Sequence, residues 1–405
     1  MRCNLLFHPK GVNAMTADDL DPILQITAEL PSFGDPDLDR AAAFAVENLR
    51  RTMKRYEAGC GMTNNPPSDI LVGRDTGWMA AGLDYVAPAF AAASLDTFRR
   101  KQFANGRIPE VVVGTTGHAY DYDLNAADNT PLWAWGVWHH WSWHGDRYFP
   151  DFRAAFTPAM RMAGDHMTAE MERGDGLLRT IPSGDGNVFG IAGWRNIIEG
   201  RIQAGAVTEI NSLSAFALQK IGEFTGDARY SDAGQRLADN IRRELRRDDG
   251  LYLLKIDLDG TRDAQVTADM IFPVLFEIAS EQDSAVILDR LSEPDFWSLA
   301  GIRTVPASDP VYDPAAGVGL LGGSWPNPTL WYAAACGQRG RREACLYALR
   351  TVAAPVLATE EHPWQGTKPG EFCEYFHGED GRGLGMPLSP WVPPTFLWAL
   401  MEGLL

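Results

Sequence analysis

The sequence predicts an all-α fold, one large domain built from repeated helical hairpins. Three observations carry this expectation. Apolar residues recur at helical spacing in segment after segment. Similar junctions, "WHGDRYFPDF" and "FTGDARYSDA", separate successive helices: a glycine ends one helix in the left-handed conformation and an aspartate opens the next. Strand–helix alternation is absent, and no shift of composition marks a linker. Hairpins repeated at long period through 405 residues suggest a closed helical toroid or a solenoid. The domain is expected over residues 39–405, behind an N-terminal lead-in of residues 1–38 that has a second candidate start at Met15.

The helical segments follow in order. Residues 37–59 have helical periodicity and end at Gly59, and 77–103 continue it with a break at Pro88. Asn129, Thr130 and Pro131 form a helix-start signature for the segment 129–146. Residues 148–174 follow, then the pair 210–227 and 228–250, then 268–280 and 284–294. Residues 327–340 and 341–358 make another pair, and 393–405 close the chain. Long loops lie between them at 72–78, 114–129, 179–200, 301–329 and 370–391, each combining glycine with carboxylates and aromatics. Loops of that length in a compact domain are usually functional.

Composition narrows the function classes. A net charge of −17 argues against nucleic acid, which requires basic patches. No stretch approaches the roughly 20 apolar residues that cross a bilayer, and the N-terminus lacks a secretory pattern. Five scattered cysteines without a CxxC pair read as reduced thiols in a cytoplasmic protein. HExxH, a Cys/His cluster, EF-hand spacing and a phosphate-binding Gly-Lys-Ser/Thr loop are all missing, so neither metal nor cofactor is expected. Thirteen tryptophans, five of them within 133–143, mostly suggest a packed aromatic core. In an acidic chain they also lean towards a small carbohydrate, because indoles stack on sugar faces.

The segments "GRDTGW", "NAADNTPLWAW", "VTEINSLSAFAL", "GIRTVPASDPVYDP…GGSWPNPTLWYA" and "CEYFHGEDGRGLG", in this order, resemble the inverting glycosidases built on an (α/α)6 barrel. The nearest resemblance is to the mannosylglycerate and glucosylglycerate hydrolase group of glycoside hydrolase family 63. Glycogen-debranching glucosidases and trehalases look more distant. The resemblance spans roughly residues 40 to 405. It implies a single (α/α)6 barrel with active-site loops at one end, cleaving a small α-linked glucoside or mannoside with inversion, of disaccharide or sugar-glycerate type.

Inversion needs a carboxylic acid to protonate the leaving oxygen and a carboxylate to activate water on the opposite face, roughly 6.5–9.5 Å apart. Glu374 matches the family's general base; Tyr375 and Phe376 beside it suggest a partly buried carboxylate, and Glu371 is the fallback. The acid segment departs from the family. Where debranching relatives read Trp-x-Asp, this chain has Trp194, Arg195 and Asn196, and neither replacement is a carboxylic acid. Asp185, in "SGDGN", is the better chemical candidate, with Glu199 next. Arg74 and Asp75 resemble a pair that grips the terminal sugar's hydroxyls; the alternative is a surface ion pair at a helix start. Asp128 is a sugar ligand or a helix cap. Glu209 is a cavity carboxylate or the anchor of Arg195. Trp78, Trp194 and Trp325 are candidate sugar platforms or core residues. Arg195, Arg201 or Arg382 would hold an aglycone carboxylate.

Two other readings compete. An isomerase or epimerase on a similar barrel wants histidine bases. His118 and His377 suit that role better than His139, His140 and His144, which lie within an aromatic helix. A non-catalytic sugar-binding relative would explain an altered acid segment.

Overall fold

The computed structural model describes residues 21–405 apart from 28, 64–67, 122–126, 182–192, 196–203 and 360–363. Among these residues the chain forms twelve α-helices and a few short antiparallel strands. The helices are α1 (Pro36–Thr52), α2 (Gly73–Leu83), α3 (Pro88–Arg99), α4 (Asn129–His144), α5 (Phe152–Arg173) and α6 (Thr208–Thr225). They continue with α7 (Ala228–Glu244), α8 (Ile271–Leu275), α9 (Glu281–Leu291), α10 (Pro326–Gln338), α11 (Arg342–Leu357) and α12 (Val392–Leu404).

The even-numbered helices form the inner ring. Helix α2 packs on α4, α4 on α6, α6 on α8, α8 on α10, α10 on α12, and α12 returns to α2. The odd-numbered helices lie outside them, so the expected (α/α)6 toroid is the observed fold. Sequence pattern explains who sits where. Helix α7 is amphipathic, burying Tyr230, Ala233, Leu237 and Ile241 while its arginines face out. Helices α10 and α12 are apolar nearly all round, as befits helices covered on both sides. The inner helices approach closely where glycine permits: a Cβ on Gly82 of α2 would lie 1.8 Å from the Pro394 carbonyl oxygen of α12. The expected aromatic core is there. Trp78 stacks on Trp331 at 4.7 Å and meets Trp135 edge-on at 5.1 Å.

Three boundaries differ from expectation. The segment 37–59 leaves the helix at Thr52 and turns into a hairpin, Met53–Tyr56 against Gly59–Met62, with Gly59 at φ 144°. The segment 268–280 keeps only a 3-10 turn (Ala268–Met270) and α8, because the chain reverses at Glu277, φ 60°. Residues 72–78 are not a loop: a small sheet pairs Ile70–Val72 with Val111–Val113, and α2 starts directly after it at Gly73. Arg74 and Asp75 therefore stand on the first turn of an inner helix. Ahead of residue 39, Thr27 N donates to the Val86 carbonyl, so this part of the lead-in touches the barrel. No helix among the described residues is long and apolar enough to cross a membrane.

Candidate active site

The inner helices begin at one end of the ring, and described parts of the 179–200, 301–329 and 370–391 connections meet there. Three tryptophan neighbourhoods join these connections. Trp194 meets Trp325 edge-on at 5.7 Å, Trp325 stacks on Tyr375 at 4.9 Å, and Trp391 lies 6.1 Å from Trp325. The described parts of the 179–200 and 370–391 connections thus share one end, as one site requires.

Glu374 lies in this wall. Its backbone N–H donates to the Met386 carbonyl and its carboxylate accepts from the Trp391 side chain. Among the described residues no arginine, lysine or histidine pairs with it. Gly385 packs over it so tightly that a Cβ there would lie 2.8 Å from the Glu374 Cβ. Burial, then the charge of Asp75, pushes the Glu374 carboxyl up to about 7. Asp75 behaves alike: burial raises it to about 7 against the pull of Arg74, with Asp128 adding to the rise. Glu374 and Asp75 are both partly exposed and both free of ion pairs among the described residues. Among the described residues they are the two unpaired carboxylates raised to about 7.

The other described acidic residues at this end have partners. Arg74 is not paired with Asp75. Its Nε and Nη2 donate to Asp128, the second at 3.0 Å, and Glu110 lies 3.9 Å from Nη1. Both partners are buried, so the surface ion pair expected at this helix start is replaced by an internal one. Asp128 stands at the N-cap of α4 but makes no side-chain capping bond there, because Arg74 occupies it. Removing one partner of a buried pair costs about 3–5 kcal/mol. Asp128→Ala is accordingly expected to lower unfolding stability by that amount, checked by urea denaturation.

Glu209, on the first turn of α6, does not anchor Arg195. It accepts the Trp194 backbone N–H at 3.1 Å. Burial, then the charges of Asp269 and Asp128, holds it protonated well above the usual carboxylate range. Arg195 instead pairs with Asp269 at 2.7 Å, a residue that sequence reading missed. Its only signal was its place in "VTADM", one turn before an inner helix. Glu371 is unsuited as the fallback base: Arg51 of the outer helix α1 binds it at 2.7 Å. Trp78 is buried within the ring, and Trp194 and Trp325 are nearly so, at 4% and 7% exposure, which makes Trp78 core and the other two wall. Asp185, Asn196, Glu199 and Arg201 lie outside the described residues. Arg195 is spent on Asp269, and Arg382 is half-exposed beside Asp380 at 3.6 Å.

The histidines separate clearly. His118 stacks on Tyr120, and His377 accepts backbone N–H groups from Glu379 and Asp380. At the far end of α4, His139 and His140 both bind Asp84 through Nδ1, at 2.6 and 2.5 Å, and His144 Nε2 reaches the Asp84 carbonyl. Asp84, His140 and His144 bring ligand atoms within 4.8 Å of one another, a grouping that sequence spacing did not reveal. The hydrogen bonds to Asp84 account for the cluster. Beside the mouth, a separate cavity of about 300 Å³ is lined by Arg107, Thr130, His166, Arg173 and Arg179, and by neither Glu374 nor Asp75.

Residues 71–398 match the model of the mannosylglycerate hydrolase MGH1-like glycoside hydrolase domain. Solved structures share the fold at low identity. The GH63 mannosylglycerate hydrolase from Thermus thermophilus, in complex with glucose, aligns at 14% identity and TM-score 0.67, over 88% of this chain and 99% of that one. The same enzyme with Tris and D-glycerate aligns at TM-score 0.62, with the same identity and coverage. The GH78 family rhamnosidase of a Bacillus species aligns at 16% identity and TM-score 0.65, over 90% of this chain and 34% of that one. No curated protein matches the chain.

Proposed function

The chain belongs to the MGH1-like glycoside hydrolase family, and from that premise we propose that it cleaves a small α-linked glucoside or mannoside with inversion, Glu374 serving as general base and Asp185 as general acid. The observation that carries this reading is the state of Glu374: a carboxylate held in an aromatic wall, unpaired among the described residues, and raised to about 7 by burial and by Asp75. A base of that strength accepts a proton from water near neutrality, whereas an ordinary exposed glutamate is a weaker acceptor. Asp75 at the start of α2, with Trp325 and Tyr375 in the wall, supplies groups for a sugar's hydroxyls and its apolar face, while Arg74 is held by Asp128. The solved complexes of the Thermus enzyme with glucose and with D-glycerate favour a sugar or sugar-glycerate substrate.

The test is a screen of α- and β-linked disaccharides and of glucosyl- and mannosylglycerate, read by proton NMR. The expected result is cleavage of an α-linked compound with the β-anomer appearing first. First appearance of the α-anomer would overturn inversion, and no cleavage of any glycoside would overturn the substrate class.

The pH profile follows from the same residue. The base works deprotonated, so kcat/KM should rise with pH through about 7 and fall about tenfold per unit below it. Asp75 titrates in the same range, so the limb reports the pair jointly. An acid limb centred near the ordinary glutamate value of 4.5 would remove Glu374 from the role.

A further inference from the structure

We propose that Asp269 is a positioning residue: it fastens the Trp194–Arg195 segment to the barrel and thereby serves the protonation half of the reaction. The inference rests on the glycosidase reading above and adds to it a residue that does not appear in the family motifs quoted above.

The geometry is specific. Asp269 sits in the 3-10 turn that opens α8, its backbone N–H held by Thr267 Oγ1, with 5% of its surface exposed. Its two carboxylate oxygens serve two consecutive residues. Oδ1 accepts the Trp194 indole N–H at 2.7 Å, and Oδ2 accepts Arg195 Nε at 2.7 Å. Two further bonds complete the seat: Trp194 N to Glu209 Oε1 at 3.1 Å, and Arg195 Nη1 to the Leu320 carbonyl at 3.4 Å. Gly193 lets the backbone come this close, because a Cβ there would lie 2.1 Å from Glu209 Oε2. The turn before α8, the first turn of α6 and the 303–325 connection thus converge on two residues.

The seat stands against the wall that carries Glu374. The Trp194 ring meets Trp325 and Trp331 at 5.7 and 5.4 Å, and Trp325 stacks on Tyr375, the neighbour of Glu374. In sequence, Trp194 follows the proposed acid Asp185 by nine residues. Fastening Trp194 fixes a point of the barrel nine residues from that acid in the sequence. Without the Asp269 charge, the buried Arg195 guanidinium, itself 2% exposed, loses its counter-charge and the segment its tightest bonds. Glu374 is held by other bonds, to Met386 and Trp391, so water activation should survive.

The test compares wild type with Asp269→Asn and with the milder Trp194→Phe, which deletes one bond and keeps an aromatic ring. Hydrogen–deuterium exchange should rise in peptides containing residues 193–195 and stay unchanged in α10 and α12. On a glycoside with a poor leaving group, kcat should fall about 100-fold in Asp269→Asn, within the range of a lost general acid, with KM little changed. On the glycosyl fluoride, which leaves without a proton, the fall should be less than about tenfold. Trp194→Phe should show the same selectivity at smaller size. Unchanged exchange at 193–195, or equal losses on both leaving groups, would overturn the proposal. If wild type cleaves no glycoside, the functional reading fails and takes the protonation role with it; the exchange result still decides whether Asp269 fastens the segment.

Discussion

Glu374→Gln should abolish turnover, lowering kcat by about 10³-fold or more on every glycoside, while the protein still folds and binds sugar. The amide keeps the shape and the hydrogen bond from Trp391 but cannot take a proton from water. The electrostatics add a second, opposite-signed outcome. The Glu374 carboxyl is raised from 4.5 to about 7 in the fold, so ionising it opposes folding. That part of stability is present below about 4.5, is lost as pH rises through about 7, and stays lost above. Glutamine carries no such penalty. The variant should therefore be at least as stable as wild type at about pH 8, and the difference should vanish at about pH 4. Thermal unfolding at the two pH values checks this, and kinetics on the same samples check turnover. An inactive protein that is also less stable on the alkaline side would indicate a structural role, and full activity would discard Glu374 outright.

The second large effect concerns the acid. Asp185→Asn should reduce cleavage of glycosides with poor leaving groups by about 10²–10⁴-fold, and spare most activity on activated aryl glycosides. An acid that works near neutrality has to keep its proton, so the descending limb of the wild-type pH profile should disappear in the variant. Arg195 and Asn196 cannot take over, and Arg195 is bound to Asp269. If Asp185→Asn retains full activity on poor leaving groups, Glu199 and Asp75 are the next acids to replace, Asp75 being, among the described residues, the unpaired carboxylate besides Glu374 that is raised to about 7. Steady-state kinetics with a series of leaving groups separates the two assignments, since only loss of the true acid makes the rate depend steeply on leaving-group pKa.

Local pattern settled the fold class and the family. Helical periodicity, glycine stops and aspartate caps are read within a few residues, and repeated hairpins of that kind have few ways to close. The family segments are legible for the same reason, each being a short run. Their order along the chain pointed to the shared end of the ring and to Glu374 within it. Even the errors were local: the stretch at 72–78 looked like a loop because glycine and aspartate favour turns, yet the same residues open an inner helix once a strand delivers them to it.

Pairing was decided only by closure of the ring. Arg74 finds Asp128 across 54 residues, Arg195 finds Asp269 across 74, and Glu371 meets Arg51 at opposite ends of the sequence. Those partnerships determine which carboxylates are neutralised and which remain to do chemistry. Glu371 and Glu374, three residues apart and alike in composition, go to different fates because one faces an arginine on an outer helix and the other an aromatic wall. Residue type and spacing select the candidates for catalysis; the burial and the long-range charges that tune them exist only after α12 has closed against α2.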